Sequence, residues 1–387
     1  MPCATCLARF SGDYPADQLP GINLMWFLRQ SVRPAVIYLA SRIGTLMVAG
    51  AISYDEHLSL GQSLISWDSN WYLQIARVGY PSVIPPGSRT PVLSSIGFFP
   101  LLPLVVRALH EVLRCTYGQA GLLVTFAAGL GASVAMWWLI RDFAGDKRAT
   151  RGTALVLLSP GAFVLSMVYT EGLVIALVAC CLLALGRHRW LAAGLCAGLA
   201  TAADPVAAAI VVPCLIASWQ AIRHRNDRHS LIAPALAPAG LLAFFAYLWA
   251  HTGTPFAWFI AQRRGFQGGG FGVGVPRAIS TIVVHGFMYP NSTVKSASFV
   301  VGILLLVLFL RARPPSTWVG YVIAVLAMGI ISPVVGITPR LALRAFPLLG
   351  VVGARLEDGW FEIVIGLSAL AMGALAVLAM GSPGFTP

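Results

Sequence analysis

The chain has 387 residues, of which 58% are hydrophobic and 10% charged, against about 25% charged in an ordinary soluble domain. So few charges cannot cover the apolar surface of a soluble protein this long, and apolar runs near the ~20 residues that cross a bilayer recur throughout, which makes this a polytopic membrane protein. The net charge of +12 comes from short basic clusters between apolar runs, the pattern of topology signals and anionic-lipid contacts and not of a nucleic-acid face.

Residues 1–30 contain Asp13, Asp17 and several prolines and lack a short apolar core. They read as a cytoplasmic tail and not as a cleavable signal peptide. Cys3-x-x-Cys6 has a redox or metal spacing but stands alone, so chance explains it better. The remainder, 31–387, reads as a single transmembrane domain. Its pattern predicts eleven all-α membrane segments, near 34–53, 119–140, 149–167, 171–186, 190–203, 205–222, 231–250, 296–310, 317–333, 341–354 and 361–380. Cys180, Cys181, Cys196 and Cys214 fall inside these runs as small buried hydrophobes.

Two long loops remain, 54–118 and 251–295. The stretch 97–114 decides which way the later segments face. If it lies along the surface with the N-terminus inside, short inner turns collect Arg141, Lys147, Arg148, Arg151, Arg187, Arg189, Arg223, Arg225, Arg228, Arg311, Arg313 and Arg355, as the positive-inside rule demands. If it spans, most of these face outward. It is therefore expected to be juxtamembrane, with Pro100 and Pro103 consistent with a broken helix, and both long loops are outer. The second loop carries Gly268, Gly269, Gly270, Gly272 and Gly274, the composition of a flexible linker or of a mobile flap over a site. The Ala/Gly/Arg-rich chain suggests a bacterial plasma membrane and a periplasm-facing site.

Only 14 acidic residues exist, so candidate catalysts can be found by elimination. On this topology the outward acids are Asp55, Glu56, Asp68, Glu111, Glu171 and Asp204. Asp55 and Glu56 simply follow the first span. Glu111 stands at helical spacing from Arg107 and Arg114, which predicts a surface ion pair. Asp204-Pro205 suits a tight turn, and Glu171, after Tyr169-Thr170, caps a span or helps to bind a substrate. Asp68 differs, because Trp67, Trp71 and Tyr72 flank it. Such aromatics anchor at the membrane interface; they also form sugar-binding faces and raise a carboxylate's basicity by excluding water.

No P-loop, dinucleotide fingerprint, HExxH or Gly-x-Ser-x-Gly is present. An enzyme of this sequence is therefore not expected to use a soluble nucleotide conjugate as donor. Arg42 lies inside the first span, and Arg340 and Arg344 sit one turn apart at the start of another. Arginine at such depth is costly and is commonly paired or functional, although Arg340 and Arg344 can also snorkel to head groups. A lipid phosphate suits all three, since guanidinium presents paired donors to phosphate oxygens.

With these residues assembled, the chain resembles the GT-C superfamily of glycosyltransferases, and within it the PIG-V-type mannosyltransferases and their bacterial relatives. The resemblance rests on Trp67-Asp68-Ser69-Asn70-Trp71-Tyr72 with Gly79-Tyr80, Phe98-Phe99-Pro100, Ser159-Pro160, Tyr169-Thr170-Glu171, Gly253-Thr254-Pro255, Ala261-Gln262 and Arg340 through Phe346-Pro347, in the family's order. It implies a GT-C-like bundle and an inverting transfer of a sugar, usually mannose, from a polyprenyl phosphate to a glycolipid or glycan hydroxyl. Asp68 then corresponds to the general base, Arg340 (with Arg344 and Arg42) to ligands of the donor phosphate, and Trp67, Trp71, Tyr72, Tyr80, Tyr169, Glu171 and Gln262 to substrate contacts. No Asp-x-Asp stands beside Asp68, so neither a metal nor a further cofactor is expected. The sequence departs from the family at Asp204-Pro205, where relatives have Arg-Pro, and at Leu341, where a tyrosine is common. A lipid or solute transporter and a non-catalytic partner subunit are the alternative readings.

Overall fold

The computed structural model describes residues 24–86, 92–266, 274–332, 337–382 and 385. Cys3, Cys6, Asp13, Asp17 and the glycines 268–272 of the second loop lie outside the described residues. Among those described, every regular element is a helix.

All eleven predicted segments coincide with helices. Leu24–Asp55, Tyr117–Ala144, Pro290–Arg311, Asp358–Gly381 and the continuous stretch Pro205–Arg225 are long and apolar enough to cross a bilayer, and two bent pairs bring the number to seven. Four predicted segments are shorter apolar helices: Glu171–Gly186, Trp190–Ala203, Ser316–Ile331 and Phe346–Arg355. The last of these is almost wholly buried and follows a separate short helix, Pro339–Arg344. The segment read as 341–354 is thus interrupted at Ala345, just before Phe346-Pro347.

The bent pairs follow from proline. Asp146–Leu157 and Pro160–Ser166 meet at 79°, because Pro160 has no amide hydrogen with which to continue the helix. Carbonyls freed at such a break must be satisfied within the protein, since lipid offers no donors. Arg42, only 1% exposed, reaches across from the first helix to do this. Its Nη2 donates to the Leu157 carbonyl at 2.8 Å and its Nη1 to the Ala162 carbonyl at 2.5 Å. Ser159 Oγ donates to the Val156 carbonyl at 2.8 Å. A second pair, Arg228–Leu236 and Ala239–Thr252, bends by 40° around Pro238.

Glycines let the helices approach until backbones touch, the usual device where lipid supplies no hydrophobic drive. A Cβ on Gly152 would lie 2.3 Å from the Gly350 carbonyl oxygen, and one on Gly240 would lie 2.1 Å from that of Gly198. Gly161, within the bend, bears in the same way on the Pro339 carbonyl (2.3 Å) and the Arg340 amide (2.8 Å).

The first long loop carries Leu60–Leu64, Asp68–Val78, a turn at Ser95–Gly97 and the helix Leu101–Leu113. Thirteen residues make about 20 Å of helix, short of the ~30 Å hydrocarbon core. The helix is not broken, however: Pro100 is its N-cap and Pro103 falls in its first turn, where the missing amide has no intrahelical partner to lose. The ion pair expected of Glu111 is also absent. Arg107 turns instead to the carbonyls of Ala76 (2.6 Å) and Arg77 (3.1 Å), at the C-terminal end of the 68–78 helix.

Candidate active site

The helix Asp68–Val78 starts abruptly. Trp67 before it has φ 54°, in the left-handed region that a bulky side chain rarely occupies. Its indole Nε1 donates to the Ala379 carbonyl at 2.7 Å, which ties this turn to the last helix. Asp68 therefore opens a helix at a fixed place, where the amide dipoles favour a negative charge. Its backbone N–H donates to the Tyr169 hydroxyl at 3.4 Å.

Three further parts of the chain complete the cluster. Glu171 is the first residue of the helix Glu171–Gly186, and Asp204 lies between Trp190–Ala203 and the turn Pro205–Ile210. Arg340 and Arg344 sit one turn apart in Pro339–Arg344. Arg340 Nη1 donates to Asp68 Oδ2 at 2.7 Å, and its Nε donates to Glu171 Oε1. Arg344 Nη2 pairs with the same Glu171 oxygen at 2.8 Å and with Asp204 Oδ2 at 2.6 Å. Thr170 Oγ1 donates to Asp204 Oδ2 at 3.2 Å, and the Val206 amide donates to its other oxygen at 2.8 Å. The Arg340 guanidinium also lies over the Tyr169 ring, 4.4 Å from its centroid.

Exposure falls along this chain of charges. The Asp68 side chain is 31% exposed and Arg340 15%, whereas Glu171 is fully buried. Asp68 is thus the most exposed carboxylate of the cluster, with Glu171 and Asp204 buried behind it. Burial works against the charge on Arg340, but Glu171 and Asp68 outweigh it and hold the guanidinium protonated. Burial raises the Asp204 carboxyl above its ordinary value, with Arg344 opposing. It also raises the phenols of Tyr72 and Tyr169, reinforced by the Asp68 charge, so both remain hydroxyls at neutral pH. One oxygen of Glu171 and the Arg344 Nε are buried without a hydrogen-bond partner.

The other predicted contacts gather on the segment 95–99. Trp71 stacks on Phe98 (centroids 5.8 Å apart, 15° between planes), and Tyr72 meets the same ring edge-on at 5.3 Å. The Tyr80 hydroxyl donates to the Phe98 carbonyl at 2.8 Å. Gln262 Nε2 and Trp258 Nε1 both donate to the Gly97 carbonyl, at 3.0 and 3.1 Å, which joins the second loop to the first. Arg42 makes none of these contacts and belongs to the helix bend. Arg344 is committed to the two buried carboxylates. The Arg344–Asp204 pair and Trp258 escaped the sequence reading, since nothing local marks either. No group of three or more His, Cys, Asp or Glu among the described residues is placed to hold a metal ion.

The all-helical bundle, with a charge cluster where loop and helix ends meet, has counterparts among known membrane proteins. Solved structures show this likeness directly. ArnT from Cupriavidus metallidurans bound to undecaprenyl phosphate superposes with a TM-score of 0.53 at 16% identity, over 89% of this chain and 62% of that one. The same protein in the apo state gives 0.51 at 17% identity, over 94% of this chain and 66% of that one. The chain therefore shares the fold of these structures and spans about two thirds of their length. In sequence it matches no protein-family profile and no curated protein.

Proposed function

We propose that this integral membrane protein is a glycosyltransferase that takes a sugar, with mannose the first to test, from a polyprenyl phosphate and passes it with inversion to a glycolipid or glycan hydroxyl. The observation that carries this reading is the 2.7 Å contact between Asp68 and Arg340, which puts a half-open carboxylate beside a guanidinium suited to phosphate. ArnT, whose fold this chain shares, has been seen with undecaprenyl phosphate, and that lipid chemistry is the donor type proposed here.

In the proposed reaction the donor phosphate competes with Asp68 for Arg340 and releases the carboxylate. Asp68 then accepts the proton of the acceptor hydroxyl as its oxygen bonds to the anomeric carbon. The bond from that carbon to the phosphate oxygen breaks, and its electron pair stays on the phosphate, where Arg340 meets the developing charge. No metal or soluble cofactor enters this scheme. The site faces the periplasm of a bacterial plasma membrane, with the N-terminus cytoplasmic.

Buried charges also suit a transport pathway, but among the described residues all of them except Arg42, which braces the helix bend, are knitted into one cluster ending at Asp68. Incubation of the purified protein with polyprenyl-phosphate mannose and native membrane lipids, followed by mass analysis, tests the proposal. A hexose-bearing product that Asp68→Asn fails to form is expected. Lipid or solute flux in liposomes with no glycosyl product would rule the transferase reading out.

A further inference from the structure

Three arginines suit a donor phosphate by sequence, but two are engaged elsewhere: Arg42 on the carbonyls of the helix bend and Arg344 on Glu171 and Asp204. Arg340 already faces two carboxylates. The cluster as a whole sets three carboxylates against two guanidiniums. A phosphate arriving at Arg340 therefore enters a region with no spare positive charge, and removing an anion from water without one is costly.

Arg340 lines a narrow pocket outside the acidic cluster. Asn291 and Lys295 of the helix Pro290–Arg311 line it too, with Thr338, and Phe163 and Val294 form part of its apolar wall. The pocket thus brings a second cation to the same space as Arg340 and sets apolar side chains beside both. That is the composition of a site for a phosphate carried on a hydrocarbon chain. The pocket leaves only about 20 Å³ for water, room for about one molecule, so a phosphate has to widen it. Separation of Arg340 from Asp68 would supply that movement.

We propose that Lys295, which lines the same pocket as Arg340, is the second cationic ligand of the lipid phosphate. This rests on the transferase reading above and assigns a residue to its donor site. As the sugar leaves, the phosphate gains negative charge, and an ammonium there stabilises the released polyprenyl phosphate more than the intact donor.

The test is titration of undecaprenyl phosphate, the released form of the carrier, against the full chain in nanodiscs. Wild type, Lys295→Met and Lys295→Arg are compared, with the melting temperature of each recorded first and Lys295→Gln used if the methionine variant does not fold. Loss of a charge-assisted bond to phosphate is expected to weaken binding roughly 10- to 100-fold in Lys295→Met, with arginine restoring most of it. Lys295→Met binding as tightly as wild type overturns the assignment and leaves the transferase reading standing. Wild type binding no undecaprenyl phosphate overturns both. Inorganic phosphate, titrated in parallel, is expected to bind far more weakly because it cannot use the apolar wall; equal affinity overturns the lipid assignment.

Discussion

At the scale of single residues, exposure separates Asp68 from the acids behind it and predicts different failures. Asp68→Asn keeps a side chain that a helix start tolerates. It is expected to fold with an unchanged melting temperature and to lose about 100- to 10,000-fold in transfer rate, the range of a general base. A variant with wild-type turnover would remove Asp68 from the chemistry. Arg344→Met strips a buried cation from Glu171 and Asp204 and should cost about 3–5 kcal/mol of stability, whereas adding Asp204→Leu should recover part of the loss. Thermal unfolding of the two single variants and the double variant decides this. A double variant less stable than either single one would contradict it. Since the proposed scheme uses no metal, transfer by the purified enzyme should survive exhaustive chelation with EDTA.

At the scale of elements, the Pro160 bend and the 339–344 helix act as one unit. Gly161 lies against the backbone of Pro339 and Arg340, so its missing side chain sets where the guanidinium stands. Gly161→Ala forces one of the two segments to move, at about 1–3 kcal/mol for an overpacked position. It should reduce transfer more than that loss of stability explains, as measured by activity per folded protein. Arg42 acts on the same unit from the other side through the carbonyls it holds. Its sequence signature, a cation in a span, is that of a ligand site as much as of a structural brace, and only the contacts separate the two.

At the scale of the whole molecule, all eleven apolar segments were legible because hydropathy is a local property that the chain spells out residue by residue. The bends were not legible in that way: 149–167 reads as one apolar segment, and the 79° angle at Pro160 depends on what packs around it. Asp68 stood out through its aromatic neighbours. Arg340 stood out separately as a deep arginine, but its pairing with Asp68 did not, because 272 residues separate the two and no periodicity in one sequence links them. Glu171 and Asp204 looked like a cap and a turn former, and each does begin or end a helix. Their common meeting point required the fold. Orientation is open to a direct check. In a cysteine-free background, Ser82→Cys and His224→Cys, both exposed, should react with an impermeant maleimide from opposite faces of intact vesicles. Labelling of both from one face would invert the proposed topology.

The bond from Trp67 to the Ala379 carbonyl spans 312 positions and sets an order of assembly. A ribosome delivers the aromatic turn early and its anchor late, so a nascent chain halted before Asp358 lacks the tie on Trp67 and holds Asp68 only through Tyr169 and Arg340. Under the proposed function, unfinished copies would hold the base in an untied turn and leave the donor lipid pool largely untouched.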